Sequence, residues 1–105
     1  MSHQQDRIAH LPKRRPPVHP GELLLEEFLR PMGISQREFA KHIGWNTTKL
    51  NEIINGRRGL SLQSILDLAD VFAMSAGFWL NLQTDYDLWH AVQGRRKKSP
   101  LKKAI

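Results

Sequence analysis

Several features that define whole classes of protein are missing from this sequence. None of its 105 residues is a cysteine, which excludes disulfide bonds, thiolate zinc sites and a cysteine nucleophile. No apolar stretch approaches the roughly 20 residues of a membrane-spanning helix, and the N-terminal segment lacks the apolar core of a secretory signal. We therefore expect a soluble protein of the reducing cytoplasm.

Signals for β-structure and for catalysis are also scarce. No alternation of apolar and polar residues reaches five residues, and no hairpin turn joins two such runs. The five histidines fall at no metal-ligand spacing and complete no Ser-His-Asp set. They are His3, His10, His19, His42 and His90. We expect an all-α protein with no metal, no cofactor and no enzymatic activity.

Positive charge is concentrated at the two ends of the chain. The formal net charge is +6, with +3 in residues 1–15 and +6 in residues 94–105, so residues 16–93 carry −3. Within that acidic body, residues 35–58 carry a local charge of +3. A cationic sector with acidic flanks can orient a protein against a polyanion such as nucleic acid.

Apolar spacing and helix caps predict five helices between two tails. The three predicted segments are a flexible basic arm, a helical domain and a basic tail, at residues 1–18, 19–93 and 94–105. The first helix is predicted from Pro20 to about Leu29, because Pro31 and Gly33 should stop it. Two later helices are predicted at about 62–72 and 76–89. Their predicted caps are Ser61 and Ser75.

The second predicted helix spans residues 36–43 and begins at a capping box formed by Ser35 and Glu38. Ala40 is the small residue at which a following helix can approach closely. Gly44 then permits the positive φ of a tight turn. This combination is typical of the first half of a helix-turn-helix.

The third predicted helix spans about 47–54, with Asn46 as its cap and Asn55-Gly56 as its end. Its apolar residues Leu50, Ile53 and Ile54 should face inward, which leaves a polar face outward. Short polar side chains at the start of such a helix can hydrogen-bond base edges in the major groove. The predicted base contacts are Thr47, Thr48, Asn51 and Glu52. The predicted phosphate contacts are Gln36, Asn46, Lys49, Arg57 and Arg58.

The last helix carries aromatic residues at helical spacing. Trp79 and Leu82 are expected in the core. Tyr86 and Trp89 lie near the end of the helix, where less core remains to cover them. These two aromatics are therefore the candidates for contact with another protein chain.

Three stretches together carry a family resemblance. The first, Gln36-x3-Ala40-x3-Gly44-x5-Leu50 followed by Asn55-Gly56, resembles the lambda-repressor-like (Cro/repressor or XRE) helix-turn-helix family, a five-helix fold. The other two are His19-Pro20-Gly21-Glu22-Leu23-Leu24, and Phe78-Trp79-Leu80-Asn81-Leu82-Gln83 followed by Tyr86-Asp87-Leu88. In this order they resemble the HigA-type (VapI-like) antitoxins of bacterial toxin–antitoxin operons. The resemblance covers about residues 18–90 and neither tail.

This resemblance implies a homodimer that binds an inverted-repeat operator, represses its own operon and neutralises a ribonuclease (HigB-like) toxin. It implies a phosphate contact at Gln36 and base contacts at Thr47, Thr48 and Asn51. Tyr86 and Trp89 become candidates for the dimer or toxin interface. Glu52, at the edge of the base-contacting set, is an unexpected residue for a DNA-binding surface, because its carboxylate would repel phosphate. The carboxylate would be accommodated if it accepted a hydrogen bond from a cytosine amine or paired with Lys49 or Arg57.

Three other interpretations remain open on the sequence. One is a stand-alone repressor of the same fold without a toxin. A second is a nucleic-acid binder indifferent to sequence and driven by the basic tails. A third is a small enzyme, which the missing catalytic constellation disfavours.

Overall fold

The computed structural model of the protein describes residues 16–102, and every regular element in that range is a helix. Three contiguous segments, Pro20–Leu23, Leu24–Leu29 and Arg30–Met32, form the first helix, α1. The others are α2 (Gln36–Ile43), α3 (Thr47–Ile54), α4 (Leu62–Phe72) and α5 (Ala76–Val92). This confirms the predicted all-α, five-helix fold. No helix within the described range is long and apolar enough to cross a membrane. Most of the predicted N-terminal arm, residues 1–15, lies outside the described residues.

The first helix does not stop before Pro31, so its predicted end at Leu29 is wrong. Its middle segment is a wider turn, in which the N–H of Arg30 donates to the carbonyl of Leu25, five residues back. A wider turn before Pro31 relieves the clash between the proline ring and the preceding turn of the helix. Because proline has no backbone N–H, the helix loses one hydrogen bond at this position. The helix ends at the second predicted stop, Gly33, whose φ is +67°.

The helix caps form largely where the sequence places them. Ser35 and Glu38 complete the predicted capping box, with bonds of 3.1 and 3.0 Å. The Oδ1 of Asn46 accepts from the N–H of Lys49 at 2.7 Å. Ser75 lies at the start of α5, but its side chain accepts no cap bond. That helix also continues to Val92, three residues beyond its predicted end.

Buried apolar side chains from all five helices form the core. Trp79 is fully buried, and its ring lies 5.3 Å from Phe28 and 6.2 Å from Phe72 between centroids. Leu82 packs against the same cluster. The core positions predicted for these two residues of α5 are confirmed. Leu50 and Ile53 of α3 are also fully buried, so this helix is held by its apolar side.

A close backbone contact fixes α1 against the end of α3. A Cβ atom on Gly21 would lie 1.7 Å from the carbonyl oxygen of Ile53 and 2.9 Å from the Cα of Ile54. Only glycine can occupy this position without separating the two helices. The preceding residue, Pro20, is fully buried and provides the rigid first turn of α1.

We predict that Gly21→Ala lowers the free energy of unfolding by about 2 kcal/mol or more, because the added methyl group must push α1 away from α3. Gly77→Ala is the matched control. A Cβ at Gly77 meets only the Oγ of Ser75, at 3.5 Å, and alanine favours the helix, so this change should be neutral or stabilise by up to about 1 kcal/mol. Urea unfolding followed by circular dichroism measures both. Equal effects of the two substitutions would show that the contact is unimportant.

Candidate nucleic-acid interface

The turn between α2 and α3 is held from both sides. The N–H groups of Gly44 and Trp45 both donate to the carbonyl of Ala40, at 2.9 and 3.0 Å, and Gly44 has the positive φ predicted for it, +83°. The indole N–H of Trp45 donates to the Oδ2 of Asp67 on α4 at 2.9 Å. The angle between the two helices is therefore fixed by backbone bonds and by a tie to a third helix.

The two faces of α3 are divided as the sequence predicts. Leu50, Ile53 and Ile54 are buried, whereas Thr47, Thr48 and Asn51 are exposed. The exposed side chains lie in the first turns of the helix, and the chain beyond them ends in the predicted Asn55-Gly56 stop. A polar face on a helix anchored from behind is the arrangement that major-groove recognition requires.

Six of the predicted site residues line one shallow depression of about 390 Å³. They are Gln36, Thr47, Thr48, Asn51, Glu52 and Arg57. The structure therefore brings all four predicted base contacts together with two predicted phosphate contacts. The depression spans both helices, because Gln36 is the first residue of α2 and the others belong to α3 or the turn after it.

The other predicted phosphate contacts, Asn46, Lys49 and Arg58, lie outside the lining of the depression. The ammonium group of Lys49 lies 4.4 Å from the centroid of the Trp45 ring, a cation–π contact. Asn46 uses its side-chain oxygen as the helix cap. This cap bond is compatible with a phosphate contact, because only the NH₂ group of Asn46 can donate to a phosphate.

Glu52 pairs with neither of the cations expected from the sequence. Its Oε1 lies 3.0 Å from the Nη2 of Arg58, while Lys49 rests on Trp45. The cause is the turn at Gly56, whose φ is +74°. The chain reverses there, the N–H of Arg57 donates to the carbonyl of Glu52 at 2.9 Å, and Arg58 returns over the last turns of α3.

His19 has a structural role that the sequence did not predict. It is buried, and its Nδ1 accepts from the N–H of Gly21 at 2.9 Å as the cap of α1. Its ring meets Tyr86 edge-to-face at 4.7 Å. Burial lowers the pKa of His19, and this effect outweighs the nearby carboxylates of Asp87 and Glu22, which raise it.

The two aromatics predicted to contact another chain are both half-buried. Tyr86 lies against His19 and also 4.2 Å from the ring of His90, so part of its surface is used within the chain. Trp89 lies 5.0 Å from His90 on the same end of α5. Their contact with a partner stays a prediction.

Gln83 is a second buried polar residue that sequence reasoning missed. Its Oε1 accepts from the N–H of Leu60 at 2.7 Å, and its Nε2 donates to Asp87 at 2.9 Å. This side chain ties the loop after α3 to α5. Over residues 16–102 there is no cluster of three or more potential metal ligands.

Known proteins share this architecture. A helix-turn-helix family model matches residues 25–79, and Virulence-associated protein I of Dichelobacter nodosus is 42% identical over 77% of this chain and 75% of its own length. Antitoxin HigA-1 of Vibrio cholerae is 38% identical over 72% of this chain and 71% of its own length. The chain belongs to the HigA-type (VapI-like) antitoxins of the lambda-repressor-like helix-turn-helix family. The resemblance predicted from three sequence stretches is thereby confirmed.

Two solved structures from Pseudomonas aeruginosa place this HigA-type fold beside DNA. One is a protein in complex with its 18-base-pair operator DNA, with a TM-score of 0.74 and 36% identity over 81% of this chain and 97% of that one. The other is the antitoxin HigA with the higBA promoter, with a TM-score of 0.69 and 39% identity over 71% and 82% of the two chains.

We predict that the stability of this HigA-type protein falls as the pH is lowered through the range of ordinary histidine titration. Because burial lowers the pKa of His19, the unfolded chain takes up a proton at a higher pH than the folded chain does. The contribution of neutral His19 is fully present above the unfolded value of 6.5 and is lost as the pH falls toward the lower folded pKa.

The matched variant is His19→Asn, whose amide oxygen can still accept from the N–H of Gly21 but does not titrate. Urea unfolding from pH 8 to pH 5, a range that brackets the ordinary histidine pKa of about 6.5, should show a shallower loss of stability for the variant than for the wild type. Identical pH profiles would contradict the assignment.

Proposed function

We propose that this protein is an operator-binding antitoxin that represses its own toxin–antitoxin operon and neutralises a ribonuclease toxin. The observation that carries the DNA-binding half is the single depression shared by the exposed face of α3 and the start of α2. The relatives with known structures, solved with operator or promoter DNA, support the same use of the fold.

The depression offers the chemistry that base reading needs. Thr47 and Thr48 carry hydroxyl groups that donate or accept, and Asn51 carries an amide that does both. These side chains match hydrogen-bonding groups on base edges, and the threonine methyls can contact the thymine methyl. Helix α3 would enter the major groove with these residues first, as recognition helices do.

Phosphate contacts would surround the reading surface, which is the depression that contains Thr47, Thr48 and Asn51. Gln36 and Arg57 line its edge, and Asn46, Lys49 and Arg58 lie beyond it. Such contacts fix the register of the protein on the duplex but carry no sequence information. The local charge of +3 in residues 35–58 would orient this side of the acidic body toward DNA, and the basic tails would add affinity that is indifferent to sequence.

We further propose that the protein acts as a homodimer in the cytoplasm, where its operator is located. Two copies related by a two-fold axis would place their α3 helices about 34 Å apart, in successive major grooves of an inverted repeat. The role is one of binding and not of catalysis.

The toxin half of the proposal rests on the antitoxin names of the relatives. Tyr86 and Trp89 are the proposed contacts to the toxin or to the second copy, and Tyr86 borders a separate depression of about 550 Å³ that also includes Val18 and His90. Purification of the protein from its own cells, followed by identification of the bound chain, tests this half. A small ribonuclease supports it, and purification of the protein alone favours a stand-alone repressor.

We predict that Thr48→Ala and Asn51→Ala each weaken binding to the operator by about 1–3 kcal/mol and leave binding to random DNA nearly unchanged, because each removes a base contact. Arg57→Ala is the contrasting control. It should weaken binding to both duplexes alike and reduce the slope of log K against log salt by about 1. Fluorescence anisotropy with both duplexes measures this. Equal weakening of both duplexes by Thr48→Ala and Asn51→Ala would refute the base-reading assignment.

A further inference from the structure

Glu52 is the single carboxylate among the residues that line the reading depression. The hydroxyl and amide groups around it can donate hydrogen bonds, and Arg57 only donates. An ionised carboxylate can only accept. A carboxylate on a surface that faces phosphates weakens DNA binding unless a cation balances its charge or its oxygens accept hydrogen bonds from the DNA.

The ion pair with Arg58 balances that charge. The distance is 3.0 Å, and the side chains of Arg58 and Glu52 are 47% and 35% exposed. Exposed ion pairs contribute on the order of 0–1 kcal/mol to stability, so the pair is a weak stabiliser of the fold. Its larger consequence is geometric, because it holds the carboxylate at the rim of the depression.

The geometry also leaves one acceptor available. Arg58 forms an ion pair with Oε1, and within residues 16–102 no hydrogen bond to either carboxylate oxygen of Glu52 is formed. The backbone carbonyl of Glu52 is fixed separately by the N–H of Arg57 at 2.9 Å. Oε2 can therefore accept a hydrogen bond from a group entering the depression while Arg58 stays in place.

We propose that Glu52 selects a cytosine in the operator, with Arg58 as the positioning residue that holds its carboxylate. In the major groove cytosine presents the N4 amine as a donor, and guanine and thymine present acceptors at the same edge. Adenine presents the N6 amine beside the N7 acceptor, which a carboxylate would repel. A carboxylate therefore favours cytosine over the other three bases. This inference rests on the proposed operator binding and adds the base class that one residue reads.

The wild type first selects its preferred duplex from a randomised library. The affinities of the wild type, Glu52→Gln and Arg58→Ala are then measured for this duplex and for the set of duplexes in which each of its base pairs is replaced in turn. Glu26→Gln is the matched control, since Glu26 is also exposed and paired with an arginine, Arg30, at 3.1 Å on α1. Thermal unfolding checks that every variant is folded.

We expect the wild type to lose roughly 5- to 150-fold in affinity when one particular cytosine is replaced. Glu52→Gln should lose most of this discrimination at that base pair alone, because an amide can donate as well as accept. Arg58→Ala should reduce discrimination at the same base pair, and Glu26→Gln should change nothing.

Tighter binding of Glu52→Gln to all duplexes by one common factor, with an unchanged base profile, would overturn the proposal and make Glu52 a purely repulsive charge. Uniform weakening by Arg58→Ala, again with an unchanged base profile, would overturn its positioning role and leave it only the phosphate contact proposed above. A wild type that prefers no duplex would overturn operator binding itself, which separates the failure of the proposed function from the failure of this inference.

Discussion

The backbone of α1 touches the backbone of α3 at Gly21, where any side chain would overlap the carbonyl of Ile53. Much of the reading surface depends on this contact, because α3 has only eight residues and is too short to be stable alone. Buried His19 caps α1 beside it and meets Tyr86 of α5. The far end of α3 is thus held by α1 and α5, and its near end by the bond from Trp45 to Asp67. A helix fixed at both ends can present short side chains at a defined position.

Local signals predicted the helix-turn-helix well, and long-range contacts account for what they missed. The bounds of α2 and α3 follow from Ser35, Asn46 and the glycine turns, whose effects act within a few residues. The end of α1 was wrong because a wider turn accommodates Pro31. The contact of His19 with Tyr86 and the bond from Leu60 to Gln83 could not be predicted, since each joins residues far apart along the chain. The partner of Glu52 was missed because it depends on how the turn at Gly56 directs Arg58.

The distribution of charge matters more here than its total. Most of the positive charge lies in the tails, whereas the folded body is acidic apart from the sector at residues 35–58. Within that sector the cations are not equivalent: Lys49 rests on an aromatic ring, Arg58 pairs with Glu52, and Arg57 lines the depression. Phosphate contacts from the tails would raise affinity for any duplex, so in the proposed function the polar groups on α3 provide the sequence discrimination.

In the proposed function, the surface formed by α2 and α3 is the one that meets the operator. The most direct measurement is an NMR titration of the isotope-labelled protein with its operator duplex, following every backbone amide. We expect the largest shifts to cluster at Gln36, at residues 47–52 and at Arg57. Shifts confined to residues 94–102, or centred on α5, would contradict this proposal.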